Sequence, residues 1–304
     1  MPLPILALVG PTASGKSALA IAVAAQVNGE IINADAMQVY RGMDIGTAKT
    51  PVDERDGIPH HLLDVLSPAE DASVATYQLQ ARESIEEIRS RGKVPILVGG
   101  SGLYLRATLD DLDFPETDPA VRERLTQRGE DLGPGILHAE LAVLDPVAAE
   151  RIGSRNTRRL VRALEVIELT GEPYSAHLPS YTYSVPAVQI ALTVDRPVLI
   201  ERIERRAEAM FAGGLLEETA AVRAQGLGVT ASRAVGYAQA LGVLDGVTDV
   251  AGAVEATAIA TRQVARRQVS WFGRDPRITW LNGEATFVDQ VAATLQRLEA
   301  EPDA

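Results

Sequence analysis

Short apolar runs, each stopped by glycine or proline, set the rhythm of the first third of the chain. Ile5-Leu6-Ala7-Leu8-Val9 lies between Pro4 and Gly10 and predicts a strand buried on both faces, because such strands read as continuous apolar stretches. Residues 17–27 are rich in alanine and predict a helix. Gly29 interrupts, and Ile31-Ile32 predicts a second strand that delivers Asn33, Ala34 and Asp35 at its carboxyl end. Ser73 caps a predicted helix through Arg91, Gly92 ends it, and Val94-Pro95-Ile96-Leu97-Val98 forms a third strand running into Gly99-Gly100-Ser101. Strand alternating with helix predicts an α/β fold with a parallel, doubly wound sheet, in which binding sites form at the carboxyl ends of the strands.

From about Phe114 the pattern changes, and no strand is predicted again until Ala187. Asp118-Pro119 and Asp145-Pro146 each read as an N-cap with proline in the first helical turn, and Asn156 can cap a helix that stops before Gly171. Residues 115–183 are therefore expected to form a helical insertion, with residues 1–114 and 184–304 forming the core. The core resumes with the alternation of Val188, Ile190, Leu192 and Val194, then a helix opened by Pro197 that carries Arg202, Arg205 and Arg206. Helices follow through Trp271, then a strand at 277–281 and an amphipathic helix at 284–299. No internal repeat or low-complexity linker is visible.

Composition narrows the function classes. With 304 residues, 46% of them hydrophobic, the chain can bury a substantial core, and aromatics at 4% leave Leu, Val, Ile and Ala to fill it. The net charge of −12 argues against coating nucleic acid through bulk positive charge, so any such site must be local. The absence of cysteine removes disulfides, thiolate nucleophiles, iron–sulfur clusters and cysteine-held zinc. His60, His61, His138 and His177 are a poor supply for a metal centre, and His60-His61 reads as an ordinary loop pair. With no apolar run of membrane-spanning length and no cleavable leader, the expected setting is the cytoplasm, with no membrane partner.

Gly10-Pro11-Thr12-Ala13-Ser14-Gly15-Lys16-Ser17 matches G-x-x-x-x-G-K-[ST], the pattern of ATP-binding loops, between a predicted strand and a predicted helix. Such a loop turns backbone N–H groups and a helix N-terminus onto phosphate, Lys16 adds a cation, and the Ser17 hydroxyl can ligate magnesium. An NTPase also needs an acidic residue at a strand end, yet the third strand ends in Gly99-Gly100-Ser101. Asp195 precedes Arg196-Pro197 and reads better as a helix N-cap. A kinase or ATPase therefore lacks a component, and a noncatalytic P-loop protein that binds RNA is a rival of a different class.

Asp35-Ala36-Met37-Gln38-Val39-Tyr40-Arg41-Gly42-Met43-Asp44-Ile45-Gly46-Thr47-Ala48-Lys49 mixes carboxylate, amide, phenol, cations and glycines in an order that no regular element demands. Together with the phosphate loop, it closely resembles the tRNA dimethylallyltransferase family, also called tRNA isopentenyltransferases. The resemblance continues through Gly99-Gly100-Ser101-Gly102-Leu103-Tyr104, Arg158-Arg159-Leu160-Val161-Arg162-Ala163-Leu164-Glu165, Arg202-Ile203-Glu204-Arg205-Arg206, Val235-Gly236-Tyr237, and Thr261-Arg262-Gln263 with Arg266-Arg267-Gln268 before Trp271. It spans nearly the whole chain, and the shared order and spacing of the blocks is far more specific than any block alone.

The resemblance implies a magnesium-assisted transfer of a dimethylallyl group from dimethylallyl diphosphate to N6 of adenosine 37 in a tRNA anticodon stem-loop, by a monomer and without consumption of ATP. It implies that Gly10 to Ser17 and Arg206 hold the diphosphate, with Lys16 and Arg206 stabilising the charge that grows on it. It places Asp35 as the base that accepts the amino proton, and Ser101 where the family usually has threonine, with a hydroxyl able to reach the amino group or the diphosphate. Contacts to tRNA are implied for Asp35, Ala36, Met37, Gln38, Ser101, Arg122, Arg158, Arg159, Arg162, Arg233, Gly236 and Tyr237. Ala36 stands where serine is common, and Ala238 where a basic residue often follows Val-Gly-Tyr. The local basicity RNA requires is present: Arg155, Arg159 and Arg162 fall near one helical face, and Arg262 and Arg266 form a second pair.

Overall fold

The computed structural model describes residues 4–177 and 181–300. The chain divides into two compact units, Met1–Asp110 with Tyr183–Ala304, and Asp111–Thr182. The first unit begins with β1 (Ile5–Val9), α1 (Lys16–Val27), β2 (Gly29–Asn33), β3 (His60–His61), α2 (Val74–Ser90), β4 (Val94–Val98) and α3 (Gly102–Leu109). The second unit contains α4 (Pro119–Leu132), α5 (Pro134–Leu144), α6 (Pro146–Ile152) and α7 (Thr157–Thr170). The chain then returns through β5 (Ala187–Thr193), α8 (Arg196–Ala212), α9 (Leu215–Ala224), α10 (Val229–Ser232), α11 (Tyr237–Leu244), α12 (Val250–Phe272), β6 (Ile278–Asn282) and α13 (Phe287–Glu299).

Among the described residues the strands form one parallel sheet in the order β3-β2-β4-β1-β5-β6. Side chains alternate across it even where the sequence is uniformly apolar. Ile5, Ala7 and Val9 join Ile32 and Leu97 in the core on one face, while Leu6 and Leu8 join Ile96, Val188 and Ile190 on the other, with Leu19, Val23 and Val291. Both faces are covered, which is why β1 and β4 lack polar alternation. At the carboxyl end of central β1 the neighbours are β4 and β5, whereas the chain itself crosses over to β2. That divergence opens the crevice in which α/β sheets bind ligands.

One expectation needs correction, and another is met in position only. His60-His61 is a short edge strand rather than a loop pair, because Ile31 and Ile32 offer parallel partners to His60 and His61; a two-residue element carries no periodicity to read. Asp195 sits at the N-cap position of α8 but its side chain makes no capping bond. Its backbone N–H instead donates to Glu284 Oε1 at 2.6 Å. Asp118, Asp145 and Asn156 do cap their helices through their side chains.

The chain leaves and rejoins the first unit at one place. Asp110 and Tyr183 form an antiparallel bridge, and the Ser184 N–H donates to the Leu109 carbonyl at 2.8 Å. Arg277 Nη1 lies 2.7 Å from Asp110 Oδ1, with its guanidinium 4.1 Å from the centre of the Tyr183 ring. The pairing at Asp110 and Tyr183 puts the boundary a few residues before the change of pattern at Phe114.

The second unit packs Leu125, Leu137, Leu141, Leu160, Val161 and Leu164 into its own core. Within it Glu165 is fully buried, and its carboxylate accepts the Asp118 N–H at 3.1 Å, Arg122 Nη2 at 2.9 Å and Arg162 Nη1 at 2.9 Å. Arg162 also donates to the carbonyls of Pro115 and Glu116. A carboxylate withdrawn from water in this way tolerates burial only while its partners stay.

Candidate active site

A cavity of about 460 Å³ opens at the carboxyl edge of the sheet, lined in part by Thr12, Lys16, Ser17, Asp35, Gln38 and Arg206. The phosphate loop reaches it by backbone conformations that side chains resist: Gly10 has φ +123° and Gly15, at the N-cap of α1, has φ +98°. The first turn of α1 therefore faces the cavity with its unpaired N–H groups, the arrangement that receives phosphate. Ser14 is buried, and its hydroxyl has no hydrogen-bond partner.

Lys16 and Arg206 bring cations to this end. Burial lowers the Lys16 ammonium to about 8, against the pull of Asp35 upward and with a smaller push downward from Arg206. Burial also lowers Arg206, and Asp35 again opposes it. Both cations thus stand partly desolvated in a site that holds one carboxylate close enough to act on each, a setting that an incoming polyanion would improve. Arg206 reaches in from α8, where its Nη2 donates to the Thr12 hydroxyl at 2.6 Å.

Asp35 follows β2 and is fixed by its neighbours. Its N–H donates to Asn33 Oδ1 at 2.9 Å, and its Oδ1 accepts the Met37 N–H at 3.0 Å. Gln38 spends Nε2 on the Thr47 and Ala48 carbonyls, at 3.1 and 3.3 Å, so its orientation is set and its Oε1 remains an acceptor. Arg202, Arg205 and His60 complete the charged and polar wall. Burial lowers the His60 imidazole, and its Nδ1 lies 2.8 Å from the Ile58 carbonyl.

The Asp35–Lys49 segment is anchored from behind. Glu218 on α9 accepts the backbone N–H groups of Asp44, Ile45 and Gly46 at 2.9–3.2 Å, and the Tyr237 hydroxyl donates to the same carboxylate. A Cβ on Gly46 would lie 2.3 Å from the Tyr237 ring, so this approach requires glycine. Lys49, itself buried, ties the Tyr40 carbonyl to Asp44 and to Asp64, the last at 2.6 Å.

The residues singled out in the sequence therefore fall into distinct groups. Thr12, Ala13, Gly15, Lys16, Ser17, Asp35, Gln38 and Arg206 share the cavity. Ser101 lies outside its wall, at the N-cap of α3, with its N–H donating to the Ala34 carbonyl at 3.1 Å. Ala36 and Met37 pack against the core, and Tyr237 is fully buried behind Gly46. Gly236 is buried too, whereas Arg233 is exposed. Arg155, Arg158 and Arg159 are exposed on the second unit, as is Arg122, which like the half-buried Arg162 is salt-bridged to Glu165. Arg262 pairs with Glu204 at 2.8 Å. The anchoring role of Glu218 escaped the sequence reading: its partners are backbone groups 172 to 174 positions away, which leave no motif.

Among the described residues no three histidine, aspartate or glutamate side chains converge as a metal site. Magnesium does not require such a cage: it keeps water and takes phosphate oxygens, with one or two protein oxygens. Ser17, on the wall of the cavity, is a donor of that kind.

Fold and site together define a P-loop α/β protein in which the loop after β1 shares a cavity with a carboxylate at the end of β2, two strands away in the sheet. The chain belongs to the IPP transferase family, whose model matches residues 38–275. A tRNA dimethylallyltransferase of Pseudarthrobacter chlorophenolicus is 56% identical over 281 residues, covering 92% of this chain and 93% of its own. One from Nocardioides sp. is 53% identical over 300 residues, covering 96% and 97%. The crystal structure of a tRNA isopentenylpyrophosphate transferase from Bacillus halodurans superposes with a TM-score of 0.71 at 38% identity, covering 98% of this chain and 97% of that one. A eukaryotic dimethylallyltransferase, solved in snapshots of its action on tRNA, gives a TM-score of 0.82 at 26% identity, covering 97% of this chain and 77% of its own. Among the described residues no helix is long and apolar enough to cross a membrane.

Proposed function

We propose that this chain transfers the dimethylallyl group of dimethylallyl diphosphate to N6 of adenosine 37 in a tRNA anticodon loop, releasing diphosphate. The observation that carries the reading is the meeting of Lys16, Arg206 and Asp35 in one cavity at the end of the phosphate loop. Two opposite demands are met there, stabilisation of a departing polyanion and acceptance of a proton.

As the allylic C–O bond breaks, its electron pair passes to the diphosphate. The N–H groups around Gly15 and the charges of Lys16 and Arg206 stabilise the negative charge that develops. The Ser17 hydroxyl would hold a magnesium ion, which would supply further Lewis-acid neutralisation of that charge. The adenine amino nitrogen is a weak nucleophile because its lone pair is shared with the ring. Its bond to carbon forms while one of its protons passes to the Asp35 carboxylate, whose Oδ1 is already steadied by the Met37 N–H. Gln38 Oε1 offers an acceptor beside Asp35 for the amino group of a base turned out of its stack.

The helical unit is read as the surface for the anticodon stem-loop. Arg155, Arg158 and Arg159 supply exposed charge for phosphates, while Arg122 and Arg162 are preset by Glu165. Incubating the protein with an adenosine-37 stem-loop, dimethylallyl diphosphate and magnesium, without ATP, tests the reading. Mass spectrometry should find one dimethylallyl group on that adenosine; unmodified RNA from folded protein would refute it.

A further inference from the structure

Helix α12 ends against the phosphate loop through one side chain. Gln268 Oε1 accepts the Thr12 N–H at 2.8 Å, and Gln268 Nε2 donates to the Gly100 carbonyl at 3.0 Å. Because the two partners demand opposite ends of the amide, only one orientation satisfies both. Thr12 passes the restraint on, since its hydroxyl accepts Arg206 Nη2 at 2.6 Å. The approach leaves no room for a side chain at Gly100, where a Cβ would stand 2.1 Å from Gln268 Nε2. Three residues along α12, Trp271 closes over Gly102 in the same way, with Nε1 at 2.0 Å from the corresponding Cβ position. The helix is thus seated on the segment after β4, and Gln268 joins that segment to the loop after β1.

We infer that Gln268 is a positioning residue for the diphosphate. It fixes Thr12 so that the threonine hydroxyl steadies the guanidinium of Arg206 at the cavity, and it occupies the Thr12 N–H so that the anion is met by the other amides of the loop. The inference rests on the proposed reading of this loop as the diphosphate site. A half-buried glutamine that only filled space would have no such link to Arg206, and the energetic coupling between Gln268 and Arg206 separates the two roles.

The test is calorimetric binding of a non-transferable thiolodiphosphate analogue of the allylic donor, with magnesium, to the wild type, Gln268→Ala, Arg206→Gln and the double variant. Gln268→Ala should bind about tenfold more weakly, the effect of losing a bridging amide. Because the two residues act through Thr12, the double variant should bind no worse than the weaker single variant by more than about twofold. Affinity for the stem-loop RNA should change less than about twofold in Gln268→Ala. If Ala at this position prevents folding, Gln268→Met keeps the length without polar atoms and should show the same loss. Gln268→Glu keeps the acceptor for Thr12 but sets a negative charge against the Gly100 carbonyl and the anion, and it should bind no better than Gln268→Ala. Wild-type affinity in the Gln268 variants, or losses that multiply in the double variant, overturns the inference. Failure of the wild type to bind the analogue overturns the diphosphate reading instead.

Discussion

Lys16 offers the sharpest quantitative check, because burial moves its proton into an accessible pH range. Its ammonium titrates near 8 rather than near 10.5, and a bound diphosphate would hold the proton on. The sign follows directly: the ligand binds the cation, the free protein loses that cation as pH rises through about 8, and affinity falls with it. If the bound form stays protonated, the dissociation constant scales inversely with the fraction of free Lys16 that keeps its proton. Between pH 7 and pH 9 it should then rise about tenfold, close to 1.4 kcal/mol. A lysine at its ordinary value would give almost no change over this interval. An organic diphosphate ester is the suitable ligand, since its last phosphate ionisation, near pH 6, is complete throughout. Calorimetric titration at several pH values, at fixed magnesium and ionic strength, measures the curve. Lys16→Arg should flatten it, and Asp35→Asn should move the midpoint down by removing the charge that supports the ammonium. Flat affinity from pH 7 to pH 9 in the wild type would refute the reasoning.

Other variants probe separate parts of the mechanism. Asp35→Asn should lower single-turnover transfer by about 10²- to 10⁴-fold with little change in RNA affinity, whereas collapse of RNA binding with near-normal chemistry in quench-flow would make Asp35 a recognition residue. Replacing Arg155, Arg158 and Arg159 together by Gln should reduce the slope of log affinity against log salt by about 2–3 in an RNA titration, and an unchanged slope would assign them to an ordinary solvated face. Glu218→Ala strands three backbone donors and the Tyr237 hydroxyl, so urea unfolding should show a loss of about 2–4 kcal/mol; a change under about 0.5 kcal/mol would remove the anchoring role.

What could be read from the sequence was what is local. The apolar runs of β1 and β4, the loop from Gly10 to Ser17, and the caps at Asp118, Asp145 and Asn156 each depend on neighbours within a few positions. The sheet order was not legible, because β4 inserts between β1 and β2 through pairings that no local pattern encodes. The same reason hid β3, whose two residues become a strand only beside Ile31 and Ile32. In the site, the phosphate loop announced itself, but its environment did not. The resemblance implied tRNA contacts at Arg122 and Arg162, and nothing along the chain showed that Glu165 would pair with both. Tyr237 read as a contact residue by its motif, and folding turns it inward onto Glu218. Charge and aromaticity are properties of a residue; availability is a property of its partners.

The bridge between Asp110 and Tyr183 has a consequence for how such a chain can diversify. Both ends of the 111–182 segment emerge from paired positions on adjacent backbone stretches, as the ends of a hairpin do. Material placed between two points already held side by side need not span any distance. The entropy of closing it grows only logarithmically with its length. Insertions, deletions or wholesale exchange there leave the order of the strands and the edge of β1 untouched. The segment has the anatomy of a cassette, whose length and sequence can change without displacing the strand ends that carry the site.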